Sequence, residues 1–155
     1  MRQPPSVRPA QDSDHAAICH LLALNDLPLD GLDPALDGFA VAEVGGAIVG
    51  VCGVERAGED GLLRSAAVDV AWRGLGVGKA LVEEAVASSR RRHLRALYLL
   101  TTTAADWFPA FGFVPAARSD APAAIRATAE FTSACPATAI MLMLRLTPSP
   151  EIPSH

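Results

Sequence analysis

The sequence predicts an α/β domain, with a mixed and mostly antiparallel sheet carrying helices on its faces. Three features support this. Turn signals at Gly45-Gly46 and at Gly58 to Gly61 separate apolar runs between Phe39 and Val70, which makes a meander of three antiparallel strands. The last of these runs feeds a glycine loop that opens an amphipathic helix. Further apolar runs, Ala96 to Thr101 and Thr138 to Leu146, read as buried strands.

In chain order, Val7 to Ala10 is a short first strand. Asp12, Ser13 and Asp14 offer an N-cap to a helix from Asp14 to Leu24, where Ile18, Leu21 and Leu22 fall at helical spacing. Asn25 to Gly38 mixes leucines with prolines, glycines and aspartates, and reads as a loop with a short helical piece. Strands follow over Phe39 to Glu43, Ala47 to Glu55 and Leu62 to Val70. A helix over Lys79 to Arg92 buries Leu81, Val82, Ala85 and Val86. Arg90, Arg91 and Arg92 complement its C-terminal dipole as a solvated basic end. Thr103 to Phe111 predicts a short helix bent near Pro109 and ended by Gly112. Phe113-Val114 starts a sixth strand, and Ala121 to Glu130 is partly helical. No internal repeat is visible. Residues 1–146 form one domain, and the proline-bearing tail 147–155 is predicted to be disordered.

Composition narrows the function. Half of the 155 residues are apolar, enough for a core without staples. A net charge of −4 with no basic patch argues against general nucleic-acid binding. Cys19, Cys52 and Cys135 are far apart and match no metal spacing or even disulfide set. The N-terminus lacks an apolar signal core, and no run of 18 apolar residues occurs, so a cytoplasmic protein with no membrane partner is predicted. Lys79 is the only lysine, against twelve arginines, which reads first as a compositional bias.

The organising stretch is Val68 to Leu81. Gly74, Gly76 and Gly78 clear side chains from a loop that turns backbone N–H groups towards an anion at a helix N-terminus. A nucleotide P-loop is rejected, because Arg73 holds its first glycine position and Ala80 its hydroxyl position. A dinucleotide loop is rejected too, because Lys79 occupies the third glycine position and Leu94 to Leu100 supplies no carboxylate.

What remains, Arg73-x-x-Gly76-x-Gly78, resembles the pyrophosphate loop of the GNAT N-acetyltransferases, and the likeness extends over roughly Val7 to Leu146. The resemblance implies the GNAT fold, in which the strand before the glycine loop and the strand after its helix splay apart. It implies acetyl-CoA as cosubstrate and a small-molecule amine as acceptor. It assigns the cofactor to Val68, Arg73, Gly74, Leu75, Gly76, Val77, Gly78 and Lys79. Ala104 through Gly112-Phe113 matches the family's second signature, with two departures. Thr101 stands where the cofactor-binding Asn is usual, and Phe108 where a Tyr would protonate the leaving thiolate. Family members often pair, so a homodimer is compatible. The segments Leu97 to Ala104 and Ala121 to Ala139 resemble a narrower set, small GNAT proteins associated with bacterial arsenic resistance. Relatives of that set acetylate the amino group of glutamate-like toxins, which makes an amino-acid-like toxin a candidate acceptor. Two rival readings are a non-catalytic acetyl-CoA-binding or sensing module and an arsenic-resistance accessory protein.

Acetyl transfer needs an unprotonated amine, a polarised carbonyl and a fate for the thiolate. Backbone N–H groups near Val68 are candidate polarisers. Glu43, Glu55, Asp26 or a water relay could serve as base, although single carboxylates are mostly surface groups. Arg64 and Ser65 fall mid-strand, where the acceptor should lie. A buried Arg64 needs an anionic partner such as an acceptor carboxylate; an outward-facing strand position is the alternative. Arg126, Thr128 and Glu130 fall in a segment that often covers the acceptor site. Arg126 either grips a carboxylate or arsonate through its two-pronged guanidinium, or pairs with Glu130 four residues on. Thiol capture of a metalloid needs several cysteines together, so Cys135 reads as a small buried residue. No metal site is predicted.

Overall fold

A computed structural model describes residues 4–27, 29, 32, 36–134 and 138–146. Much of the segment between Asn25 and Gly38, Cys135 and the tail from Thr147 lie outside the described residues. The order of elements is β1 (Ser6–Pro9), α1 (His15–Leu24), β2 (Phe39–Val44), β3 (Ala47–Ala57), β4 (Asp60–Val68), α2 (Val77–Arg91), β5 (Ala96–Thr101), β6 (Val114–Ala116), α3 (Ala123–Arg126) and β7 (Ile140–Arg145). The strands make one seven-stranded sheet in the order β1-β2-β3-β4-β5-β7-β6. Every neighbouring pair is antiparallel except β4 and β5.

The meander forms as its turns dictate. Gly45 and Gly46 both have positive φ, which a two-residue hairpin that matches strand twist requires. The amphipathic α2 covers one face, packing Val77, Leu81, Val82 and Ala85 against Val54, Leu63, Leu97 and Leu99. On the opposite face Ile18, Leu21 and Leu22 of α1 pack with Phe39, Val41, Val51 and Ala67. Ile125 of α3 packs with Leu62, Tyr98 and Met141.

Two features of β4 position the site. Its parallel pairing with β5 is confined to Gly61 with Leu97 and Leu62 with Tyr98, after which the strands part. Its register with β3 slips between Val51 and Gly53, so that β4 carries an extra residue there. Ser65 absorbs the slip at φ +59, an uncommon value for a residue with a Cβ. An extra residue inverts the alternation of faces. Leu63 therefore joins the α2 core while Ala67, of the same parity, joins the α1 core.

Some predicted elements differ. Thr103 to Phe111 is not an α-helix but a turn followed by a short 3₁₀ segment at Phe108–Phe111. The Thr101 hydroxyl takes the N–H groups of Thr103 and Ala104 at 3.3 and 2.9 Å, competing with helical bonding. Helix α2 begins two residues earlier than predicted, because Gly76 can cap it at φ +88. The partly helical stretch resolves into α3 and a wide turn at Glu130–Ala134.

Two expected outcomes follow from this packing. A Cβ on Gly53 would lie 2.3 Å from the ring of Phe39, its partner across the strands. Gly53→Ala should destabilise the protein by about 1–3 kcal/mol, the usual cost of overpacking, read as a lower urea midpoint. Near β1, Arg8 forks onto the Asp14 carboxylate at 2.8 and 3.0 Å, and the Gln11 N–H adds a bond of 2.8 Å. The Arg8 bonds, ahead of the Gln11 bond and against the effect of burial, hold the Asp14 carboxyl below its ordinary range. A depressed folded value means stabilisation that is present above the ordinary aspartate range and lost as pH falls through the folded value. Thermal melts taken from neutrality into acid should fall more steeply for the native protein than for Asp14→Asn.

Candidate active site

Where β4 and β5 part, a cavity of about 690 Å³ opens. Its walls include Leu63, Arg64, Ser65 and Val68 from β4, and Leu99, Leu100 and Thr101 from β5. Gly78 and Leu81 of α2 bound the end near the glycine loop. The unpaired strand edges leave backbone donors and acceptors that need partners.

The glycine loop stands at the mouth. Gly74 and Gly76 hold φ of +77 and +88, conformations that residues with a Cβ adopt rarely. A Cβ on either would meet no atom within 4 Å, so both border open space. The N–H groups of Val77, Gly78 and Lys79 lie in the first turn of α2 and have no acceptor within the helix. No acidic residue sits in that turn, so the positive end of the helix dipole is uncompensated. The residues present therefore fit a pyrophosphate. Leu75 and Lys79 are exposed beside this loop. Arg73 reaches back instead, donating Nε to the Val68 carbonyl at 3.2 Å and Nη2 to Asn25 Oδ1. It thereby ties the loop to the ends of β4 and α1.

Thr101 lines the cavity, its hydroxyl oxygen engaged by the two backbone N–H groups of the turn. Phe108 is buried, and its ring lies edge-on to Trp107 and Phe113 at centroid distances of 5.0 and 5.7 Å. Ser65 and Arg64 lie deeper along β4. Arg64 is only 3% exposed and is not outward-facing. It donates Nε to Ser65 Oγ at 3.1 Å and Nη1 to Glu55 Oε1 at 3.1 Å, and Nη2 is 3.5 Å from Glu130 Oε2. The anionic partners that its burial demands thus come from the protein.

The remaining candidates are dispersed. Glu55 touches the cavity only through Arg64. Glu43 is bonded to Arg8 at 2.7 Å, outside the cavity lining. Arg126 is exposed on α3, and Thr128 is buried with its hydroxyl donated to the Ile125 carbonyl at 2.7 Å; neither lines the cavity. Cys52 lies in the cavity wall, where burial pushes its thiol up to about 12, so it stays protonated. Among the described residues no three His, Cys, Asp or Glu side chains are grouped to hold a metal ion, and no helix is long and apolar enough to cross a membrane.

Trp107 is among the lining residues that sequence reasoning did not single out. Trp107 stands within 3.6 Å of where a Gly78 Cβ would be. No pattern in the sequence singled it out from the neighbouring aromatics. Of the three residues expected in the segment covering the acceptor site, only Glu130 lines the cavity, and its place beside Arg64 depends on the wide turn that follows α3.

Comparison with curated proteins returned no match. Among solved structures, Rv2747 from Mycobacterium tuberculosis, in complex with CoA and a second ligand, is 26% identical at a TM-score of 0.78, covering 92% of this chain and 100% of that one. N-acetylglutamate synthase from Neisseria gonorrhoeae, complexed with CoA and N-acetyl-glutamate, shares the fold at TM-score 0.78 and 21% identity, over 96% of this chain but 36% of that longer one. A GNAT-family acetyltransferase from Staphylococcus aureus shares it at TM-score 0.74 and 18% identity, over 92% and 99% of the two chains. The family model for the acetyltransferase (GNAT) domain matches residues 35–115, which span β2 through β6 and hold both the glycine loop and the parting strands. On that match, which takes in just over half of the sequence, the chain belongs to the GNAT acetyltransferases, enzymes that use acetyl-CoA as cosubstrate.

Proposed function

We propose that this protein transfers the acetyl group of acetyl-CoA to the amine of a small molecule. The observation that carries the reading is the cavity between β4 and β5, continuous from the glycine loop at Gly78 to Arg64 inside the sheet. In this reading the N–H groups of the loop and of the first turn of α2 hold the pyrophosphate. The unpaired edge near Val68 receives the chain that leads inward, and Thr101, Trp107 and Phe108 form the facing wall. The acceptor enters at the Arg64 and Ser65 end.

The reaction forms a carbon–nitrogen bond and breaks a carbon–sulfur bond; the amine gives up a proton and the thiolate takes one. Phe108 has no hydroxyl to give, so the thiolate's proton comes from water or from another group. Glu55 and Glu130 are both engaged by Arg64 and Glu43 by Arg8, which leaves a water relay or Asp26 of the cavity lining as the route from the amine. The narrower acceptor class, an amino-acid-like toxin linked to arsenic resistance, rests on the resemblance of the C-terminal third. The N-acetyl-glutamate bound by the Neisseria enzyme supports an acceptor of amino-acid size.

Two measurements test this. Gly76→Glu sets an anion against the pyrophosphate site. It should weaken CoA binding by more than about tenfold, or about 1.4 kcal/mol, in calorimetry on a protein whose circular dichroism is unchanged. Unaltered affinity would remove the cofactor assignment. Release of CoA thiol should follow when the native protein meets acetyl-CoA and an amine panel, with one acetyl group added to the acceptor by mass. Tight acetyl-CoA binding with no release on any amine would instead indicate a binding module.

A further inference from the structure

The acceptor end of the cavity holds a guanidinium that already has its counter-ions. Arg64, Ser65 and Glu130 line the cavity there, and Glu55 closes on Arg64 from β3. Arg64 sits four residues before Val68 on β4, with the bulge at Ser65 between them. Its one positive charge faces the carboxylates of Glu55 at 3.1 Å and Glu130 at 3.5 Å. That trio carries a net negative charge. Arg73, the other cation of the lining, is held at the loop end by Val68 and Asn25.

The position of Glu130 matters most. Its side chain is 8% exposed, yet the residue is part of the cavity wall. An acceptor carboxylate seeking Arg64 would come to rest beside the Glu130 carboxylate, and like charges repel strongly where water is excluded. An ammonium group placed there would instead face the Glu130 carboxylate with opposite charge.

Resting on the acetyltransfer reading above, and set against its narrower amino-acid-like acceptor class, we infer that Glu130, held by Arg64, is the specificity-determining residue of the acceptor site, and that the site takes cationic primary amines with no carboxylate beside the reacting nitrogen. Glu130 receives the ammonium group on arrival. Arg64 positions Glu130 and is not itself a receptor for an acceptor carboxylate.

The test compares matched acceptors: an amino acid, its amide and its decarboxylated amine, each followed by CoA thiol release. With the native protein, kcat/KM for the amide and the amine should exceed that for the amino acid by at least about tenfold, the scale of one like-charge contact in a partly buried site. Glu130→Gln keeps the shape and removes the charge. It should raise KM for the amine at least about tenfold, with a smaller change in kcat, and narrow or reverse the preference over the amino acid. A native protein that favours the amino acid overturns the inference, as does a Glu130→Gln protein with the same preference as the native one. Thiol release on none of the three, with acetyl-CoA affinity intact, overturns the acetyltransfer reading and the inference with it. If Glu130→Gln does not fold, calorimetric binding of the amide and the amino acid to the CoA-loaded native protein decides. Tighter amino-acid binding then overturns the inference, and tighter amide binding upholds it.

Discussion

The parting of β4 and β5 is the constraint on which the functional architecture depends. Leu62 and Leu97 are fully buried at the point where the two strands pair, so the junction is anchored by packing on both faces of the sheet. Beyond it β4 is held by β3 alone and β5 by β7 alone. A sheet that stops pairing in its interior leaves backbone donors and acceptors exposed to each other across a gap. The gap is therefore stable only where solvent or a ligand fills it. The core on either side keeps it open: α2 packs beneath both strands, while α1 and α3 cover separate halves of the other face.

The bulge at Ser65 serves the same opening. By inverting the alternation of β4, it sends Arg64 and Ala67 towards the face covered by α1 and α3, and leaves Leu63 towards α2. Without the extra residue, either the apolar contacts of Ala67 or the ionic contacts of Arg64 would fall on the wrong face. A non-glycine residue at positive φ costs about 1–3 kcal/mol and persists only where its surroundings over-determine it. Here the ladder to β3 on both sides of the slip and the Arg64 bond to Ser65 Oγ provide that determination.

Charge is divided along the cavity. At the mouth, uncompensated helix N–H groups and an acid-free first turn suit a polyanion. Inside, Arg64 is outweighed by its own carboxylates. On the acceptor class inferred above, this division would draw an anionic cosubstrate to one end and a cationic acceptor to the other. Between them stands an aromatic wall, where Trp107 lies edge-on to Phe108 and Phe111 at 5.0 and 4.9 Å, giving an apolar channel to the reacting centre.

The sequence by itself determined the succession of strands and helices along the chain, the hairpin at Gly45-Gly46, the helix after the glycine loop and the loop's suitability for an anion. These are legible because they depend on local properties: the φ that glycine permits, the periodicity of apolar residues and the free N–H groups of a helix start. The short helix read into Thr103 to Phe111 failed for a reason that is also local but was not weighed, the competition of the Thr101 hydroxyl for the backbone. Only the tertiary structure decided where the two central strands separate, that β4 bulges at Ser65, and that Arg64 is buried against Glu55 and Glu130. Each of these follows from contacts between segments distant in the chain. A buried arginine in a sequence demands a counter-ion, but which carboxylate answers depends on the turn after α3 and the register of β3, and neither is written in the residues around Arg64.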